Sequence, residues 1–160
     1  MKNKRILIAW VALISWMSII FLMSHQPGNI SSSQSDFVLK IFSIIGIDLN
    51  SSLGEVASLL VRKAAHFSEY FILYLLNINL LKHYYPKKKA RVFSMIGVFL
   101  YASSDEIHQY FIPGRAMAFT DVMIDCIGGF SAALIEYIIS SLKENNKLSF
   151  RQKDIPTELK

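Results

Sequence analysis

KNKRILIAWVALISWMSIIFLM, residues 2–23, is the stretch that decides the fold class. Lys2, Lys4 and Arg5 precede a run from Ile6 to Met23 that contains no charge at all. At about 1.5 Å per residue such a helix reaches roughly 27 Å, close to the ~30 Å of a bilayer's hydrocarbon core. A cleaved signal peptide also begins with basic residues, but its apolar core is shorter. Ser24-His25-Gln26-Pro27 moreover offers no small-x-small cleavage site. The stretch therefore reads as an uncleaved transmembrane helix.

The rest of the chain has the same character. Its 160 residues are 52% hydrophobic and only 18% charged, against about a quarter in soluble domains, and the mean hydropathy is +0.36. The length suits one domain. A net charge of +5 raises the question of nucleic acid, but the positive residues sit at segment ends rather than along a basic face with interleaved aromatics. No nucleic-acid partner is expected. The single cysteine, Cys126, excludes an intramolecular disulfide and reads as a small buried apolar residue.

Beyond the first helix, residues 24–36 read as a polar loop turned by Pro27-Gly28. Residues 37–46 are apolar but too short to span, which suits an interfacial or re-entrant helix. Ser52-Leu53-Gly54-Glu55 has the form of a capping box, so a helix is expected to begin there, with its spanning part at 62–81. Lys87-Lys88-Lys89 with Arg91 reads as a basic loop. A third spanning helix is expected at 92–112, stopped by Pro113-Gly114, and a fourth at 120–142. The expected architecture is all-α: a four-transmembrane-helix bundle over residues 1–142, followed by a disordered polar tail at 143–160. Gly128-Gly129 with Ser131, Ala132 and Ala133 forms a small-residue stripe suited to close helix packing.

Four crossings place thirteen of the seventeen lysines and arginines on one side, leaving Lys40, Arg62, Lys63 and Arg115. The positive-inside rule then puts both termini in the cytoplasm and the polar loops outside.

That topology gathers residues far apart in the chain. Arg62, His66, Glu69 and Tyr70 lie near the outer end of the second spanning helix, with the first three on one face. Asp105, Glu106, His108 and Gln109 lie at the outer end of the third. Arg115 follows, and Asp121 and Asp125 open the fourth. Each ionisable group facing lipid would cost roughly 2.5–3.5 kcal/mol, so these groups should face one another or water in a shared outward-opening cavity. The near balance of signs argues against an ion-selective pore.

Three readings of the cluster compete: a binding cavity for an amphiphile, a membrane-embedded enzyme on a lipid-linked cell-wall precursor, and a scaffold of interhelical pairs without ligand. The first is preferred, with Arg62 and Arg115 holding anionic groups and the other polar residues orienting the ligand. No cofactor is evident. A divalent metal is the one the residues would admit, with His66, Glu69, Asp105 and His108 as candidate ligands.

The strings RKAAHFSEY (62–70), DEIHQYFIPGR (105–115) and DVMID (121–125) with Gly128 resemble the motifs of VanZ-like membrane proteins. The polar residues 24–35 resemble that family's first extracytoplasmic loop. The likeness spans roughly Ser15 to Leu142 and departs at Asp125, where many members carry asparagine. The resemblance implies a bacterial multi-pass membrane protein whose functional residues are those just named. The family takes its name from glycopeptide-resistance clusters, where the namesake is associated with low-level teicoplanin resistance. Membrane lipid, a lipid-linked wall precursor or a lipoglycopeptide are accordingly the expected partners.

Overall fold

The computed structural model describes residues 2–54 and 56–153, and among these it is entirely helical. In chain order the elements are α1 (Lys2–Ser24), α2 (Gly28–Ile44), the single-turn α3 (Leu49–Leu53), α4 (Val56–Leu81), α5 (Lys87–Gln109) and α6 (Phe119–Lys153). Two of them, α1 and α6, contain stretches long and apolar enough to cross a membrane, at Asn3–Ser24 and Phe119–Asn146. α4 and α5 fall outside that description.

α4 is the central helix, with α1, α2, α5 and α6 packed around it. Its buried face reads His66, Tyr70, Leu73, Tyr74 and Ile78, successive turns of one stripe. α5 answers with small residues every fourth position, Ala90, Ser94, Val98 and Ala102, all fully enclosed. These allow the backbones of α4 and α5 to approach closely. α6 goes further. A side chain at Gly128 would collide with the backbone carbonyl of Phe67 on α4, and one at Gly129 would strike Val98 on α5. The outer surface is apolar instead of charged: Leu7, Phe130 and Leu100 are each at least 60% exposed.

Contacts at the two ends define the direction of each helix. The start of α1 meets the end of α4, where the Trp10 indole donates to Tyr84 Oη at 3.1 Å. The end of α1 meets the early part of α4, where the Trp16 indole donates to the Glu69 carbonyl at 2.9 Å. The beginning of α5 meets the second half of α6 through Arg91 and Glu136. α1, α4, α5 and α6 thus alternate in direction between the same two ends.

Four boundaries differ from the sequence expectation. The segment 24–36 is not a loop throughout, because α2 begins at Gly28, nine residues ahead of the expected short helix. Its serines satisfy themselves: Ser32, Ser33 and Ser35 each donate to the carbonyl four residues back, at 3.0, 3.0 and 3.2 Å. Lys87–Lys89 are not a loop either. They form the first turn of α5 behind Pro86, whose fixed φ suits a helix start. α5 ends at Gln109, short of Ile112. α6 continues to Lys153, well past the expected end at Leu142, because no glycine or proline intervenes between Gly129 and Pro156. The expected capping box involves Glu55, which lies outside the described residues.

Candidate functional site

The ionisable residues collect at the end of the bundle where α1 finishes, α4 and α6 start, and α5 finishes. Spacing along the helices dictates this. Lys63 and His66 lie nearly one turn apart on α4, Asp121 and Asp125 one turn apart on α6, and the two helices run side by side. Lys63 Nζ sits 2.7 Å from Asp121 Oδ1, and His66 Nδ1 sits 3.2 Å from Asp125 Oδ1. The close approach of Gly128 to Phe67 holds these pairs in register.

α5 contributes from the third side. Glu106 is almost fully enclosed and its Oε2 accepts the Ala118 amide at 2.9 Å, tying the α5 end to the start of α6. Gln109 donates to Asp105 Oδ2 at 3.3 Å. The turn between the helices is closed by Arg115, whose guanidinium donates to the carbonyls of Gln26 and Met23 and to Gln109 Oε1, at 3.0, 3.2 and 3.3 Å. Beneath it the two Pro-Gly turns touch: the Gly28 amide donates to the Pro113 carbonyl at 3.1 Å. Any side chain at Gly28 would collide with the Gly114 carbonyl. Gly114 itself has φ +74°, a conformation that glycine adopts without strain.

Between α1, α2, α4 and α5 lies a cavity of about 130 Å³. Arg62, His66, Glu69, Asp105 and Arg115 supply its charged lining, and α2 forms the opposite wall with Ser31, Gln34 and Ser35. Met23, Val38 and Val61 supply apolar lining. Among the described residues, neither the Arg62 guanidinium nor the Glu69 carboxyl has a hydrogen bond or an ion-pair partner. Arg115 differs. Burial, with Arg62 nearby, pulls its guanidinium below the ordinary arginine range, and three of its five donors already bind protein.

The sequence-predicted residues therefore separate into groups. Arg62, His66, Glu69, Asp105 and Arg115 line the cavity. Gln109 and Asp125 stand behind it as partners of the wall, through Asp105, Arg115 and His66, whereas Glu106 and Asp121 bind the Ala118 amide and Lys63 outside the lining. Tyr70 packs into the core against Tyr101, ring centroids 6.3 Å apart, and is not part of the lining. His108, expected to share a face with Asp105 and Gln109, turns away toward α1. Its Nε2 lies 3.1 Å from His25 Nδ1; the His25 ring stacks on Phe21, and the His108 ring sits tilted against Phe21 with centroids 4.8 Å apart. For that reason the expected metal set of His66, Glu69, Asp105 and His108 does not assemble among the described residues. His66 instead stands with Glu106 and Asp125, all three buried, with one donor atom from each lying within 4.8 Å of the others.

Sequence reasoning passed over His25 and the α2 residues Ser31, Gln34, Ser35 and Val38. The spacing of these four, at steps of three, one and three, is that of one helix face. Reading residues 24–36 as a loop hid it.

The VanZ/LLP1 family model matches residues 9–140. No curated protein and no solved structure matches the chain.

Proposed function

The chain belongs to the VanZ/LLP1 family, and from that premise we propose that it is a multi-pass bacterial membrane protein whose outward-facing cavity binds an amphiphilic envelope ligand. Both termini lie in the cytoplasm in this reading. Two apolar helices supply the membrane character. The alternating directions of α1, α4, α5 and α6 extend it, since helices running between the same two ends share the bilayer. The basic residues support the orientation: Lys4, Arg5, Lys82 and Lys87–Arg91 belong to the end opposite the cavity.

The observation that carries the ligand reading is that Arg62 and Glu69, on one cavity wall, form no hydrogen bond or ion pair among the described residues. A scaffold would pair them. Arg62 offers a planar fork to a phosphate or carboxylate, and Glu69 accepts from a hydroxyl or ammonium group. The apolar residues Phe37, Ile41 and Ile44 are exposed on α2, the helix that supplies one wall of the cavity, and would suit an acyl chain. A head group with hydrocarbon attached fits both parts. Membrane phospholipid, a lipid-linked wall precursor and a teicoplanin-type lipoglycopeptide all have that form. Capture of the last would contribute to resistance.

A thermal melt of the purified protein in detergent tests this. A ligand that binds only the folded state stabilises it, by about 2.7 kcal/mol at a hundredfold excess over Kd. We expect teicoplanin, a lipid-linked precursor or an anionic phospholipid to raise Tm, and Arg62→Ala to abolish the shift. Absence of a shift with all three would overturn the binding reading. The grouping of His66, Glu106 and Asp125 favours a second reading, an enzyme acting on the lipid-linked precursor. Incubating the protein with that precursor and finding it chemically unchanged would count against it.

A further inference from the structure

His66, Glu106 and Asp125 come from three different helices and meet inside the bundle. Their exposures are 8%, 1% and 0%, so none is a surface group. Each carboxyl uses one oxygen and leaves the other orphaned. Among the described residues, Glu106 Oε2 accepts the Ala118 amide while Oε1 has no hydrogen-bond partner, and Asp125 Oδ1 meets His66 while Oδ2 has none. Orphaned buried carboxylate oxygens are rare because each forfeits the hydrogen bonds it had in water. The only ionisable partner within the group is the imidazole, and one imidazolium offsets one carboxylate at most. A divalent cation would balance both carboxylates and bond to an oxygen of each.

We propose that His66, Glu106 and Asp125 form a divalent-metal site between α4, α5 and α6. One ring nitrogen and two carboxylate oxygens suit a first-row cation of the manganese-to-zinc range. The donor atoms, within 4.8 Å of one another, have to close by on the order of 1 Å to reach bonds of about 2.0–2.2 Å. Three protein ligands leave coordination positions unfilled, the pattern of sites that act on a further molecule. His66 belongs both to this group and to the cavity lining, which puts the site at the cavity's margin. The Ala118 amide fixes one ligand and the Gly128–Phe67 contact fixes the spacing of the other two, so the site is held by the packing of the bundle.

The inference stands apart from the ligand proposal, since Arg62→Ala removes the cavity's free guanidinium and none of the three ligands. The test uses the full-length protein purified in detergent without chelator, then loaded separately with Mn²⁺, Co²⁺ or Zn²⁺ and desalted. Stoichiometric metal by elemental analysis is expected, together with a visible Co²⁺ spectrum and a Tm that falls on adding EDTA. Asp125→Asn and Glu106→Gln should each weaken metal affinity by more than the roughly 10–100-fold that loss of an outer-shell partner brings. Glu136→Gln, at the far end of the bundle, should leave it intact. If wild-type protein takes up none of the three metals and EDTA leaves its Tm unchanged, the proposal is overturned. It is equally overturned if metal persists in both carboxamide variants. The wild-type measurements hold even if a variant fails to fold.

Discussion

Arg91 and Glu136 meet at one end of the bundle through two hydrogen bonds, of 2.7 and 3.3 Å, with the guanidinium 4.9 Å from the centre of the Tyr137 ring. At the other end Arg62 and Glu69 line one cavity and neither has a partner among the described residues. The residue types are the same and the arrangement is opposite. Where a helix bundle needs only to hold its helices together, one well-formed bidentate pair suffices. The Arg62 end carries more ionisable groups than its internal pairs consume, and the surplus faces a cavity. The difference between the ends separates ionic groups that fasten helices from groups available to something else.

The most severe way to break this contrast is to separate α4 from α6, whose pairs Lys63–Asp121 and His66–Asp125 stand behind the cavity. Gly128→Ala drives a methyl group into the Phe67 carbonyl, which as backbone cannot move aside. It should cost about 3 kcal/mol, seen as a large fall in Tm or loss of accumulated protein. Gly97→Ala is the counterpart: its methyl group meets only the Asn77 amide, 3.2 Å away on a side chain that can turn. Its effect should lie near zero, because alanine's better helix propensity of about 1 kcal/mol opposes the crowding. Equal losses at the two glycines would refute the account of the close α4–α6 contact.

A sharper comparison exchanges the two arginines. Arg91→Ala leaves Glu136 without its partner and should destabilise the protein by about 1–3 kcal/mol while ligand-induced Tm shifts persist. Arg62→Ala should leave stability within about 0.5 kcal/mol and abolish those shifts. If Arg62→Ala proves as destabilising as Arg91→Ala, Arg62 fastens the bundle too and the contrast fails. The smallest effect belongs to Lys87→Ala. Its ion pair with Glu144, 3.2 Å long, is formed by side chains each more than 60% exposed, so the change should fall below about 0.5 kcal/mol. A larger loss there would mean that the start of α5 depends on that pair.

Much of the site was legible before the fold. The groups on α4, α5 and α6 announced themselves because charges are scarce in this chain and a bilayer penalises them. Helical spacing put Arg62, His66 and Glu69 on one face of α4, and all three line the cavity. What misled was the local reading of polar and basic stretches. Serines 31–33 and 35 looked like loop because isolated serines disfavour helices, yet in α2 three of the four donate back to the preceding turn. The lysines 87–89 looked like loop because basic residues sit poorly at a helix start, where the dipole opposes them. At this position they also mark the proposed cytoplasmic surface, where anionic lipid favours them.

The sequence by itself determined the helical class, the segment order, the crowding of ionisable residues toward one end, and the family. These depend on period, length and composition, which a linear chain carries openly. Only the tertiary structure decided which groups meet. Asp105 and His108, three residues apart, were expected to work together, but the rotation of α5 turns Asp105 to the cavity and His108 to His25. Arg62 and Arg115 looked equivalent until the two Pro-Gly turns met and Arg115 was taken up in joining them. Glu106 joined His66 and Asp125 because the start of α6 folds back onto the end of α5. Pairings of this kind depend on helix rotation and close approach, which are fixed by glycines and small residues packing across the bundle rather than by the ionisable residues themselves.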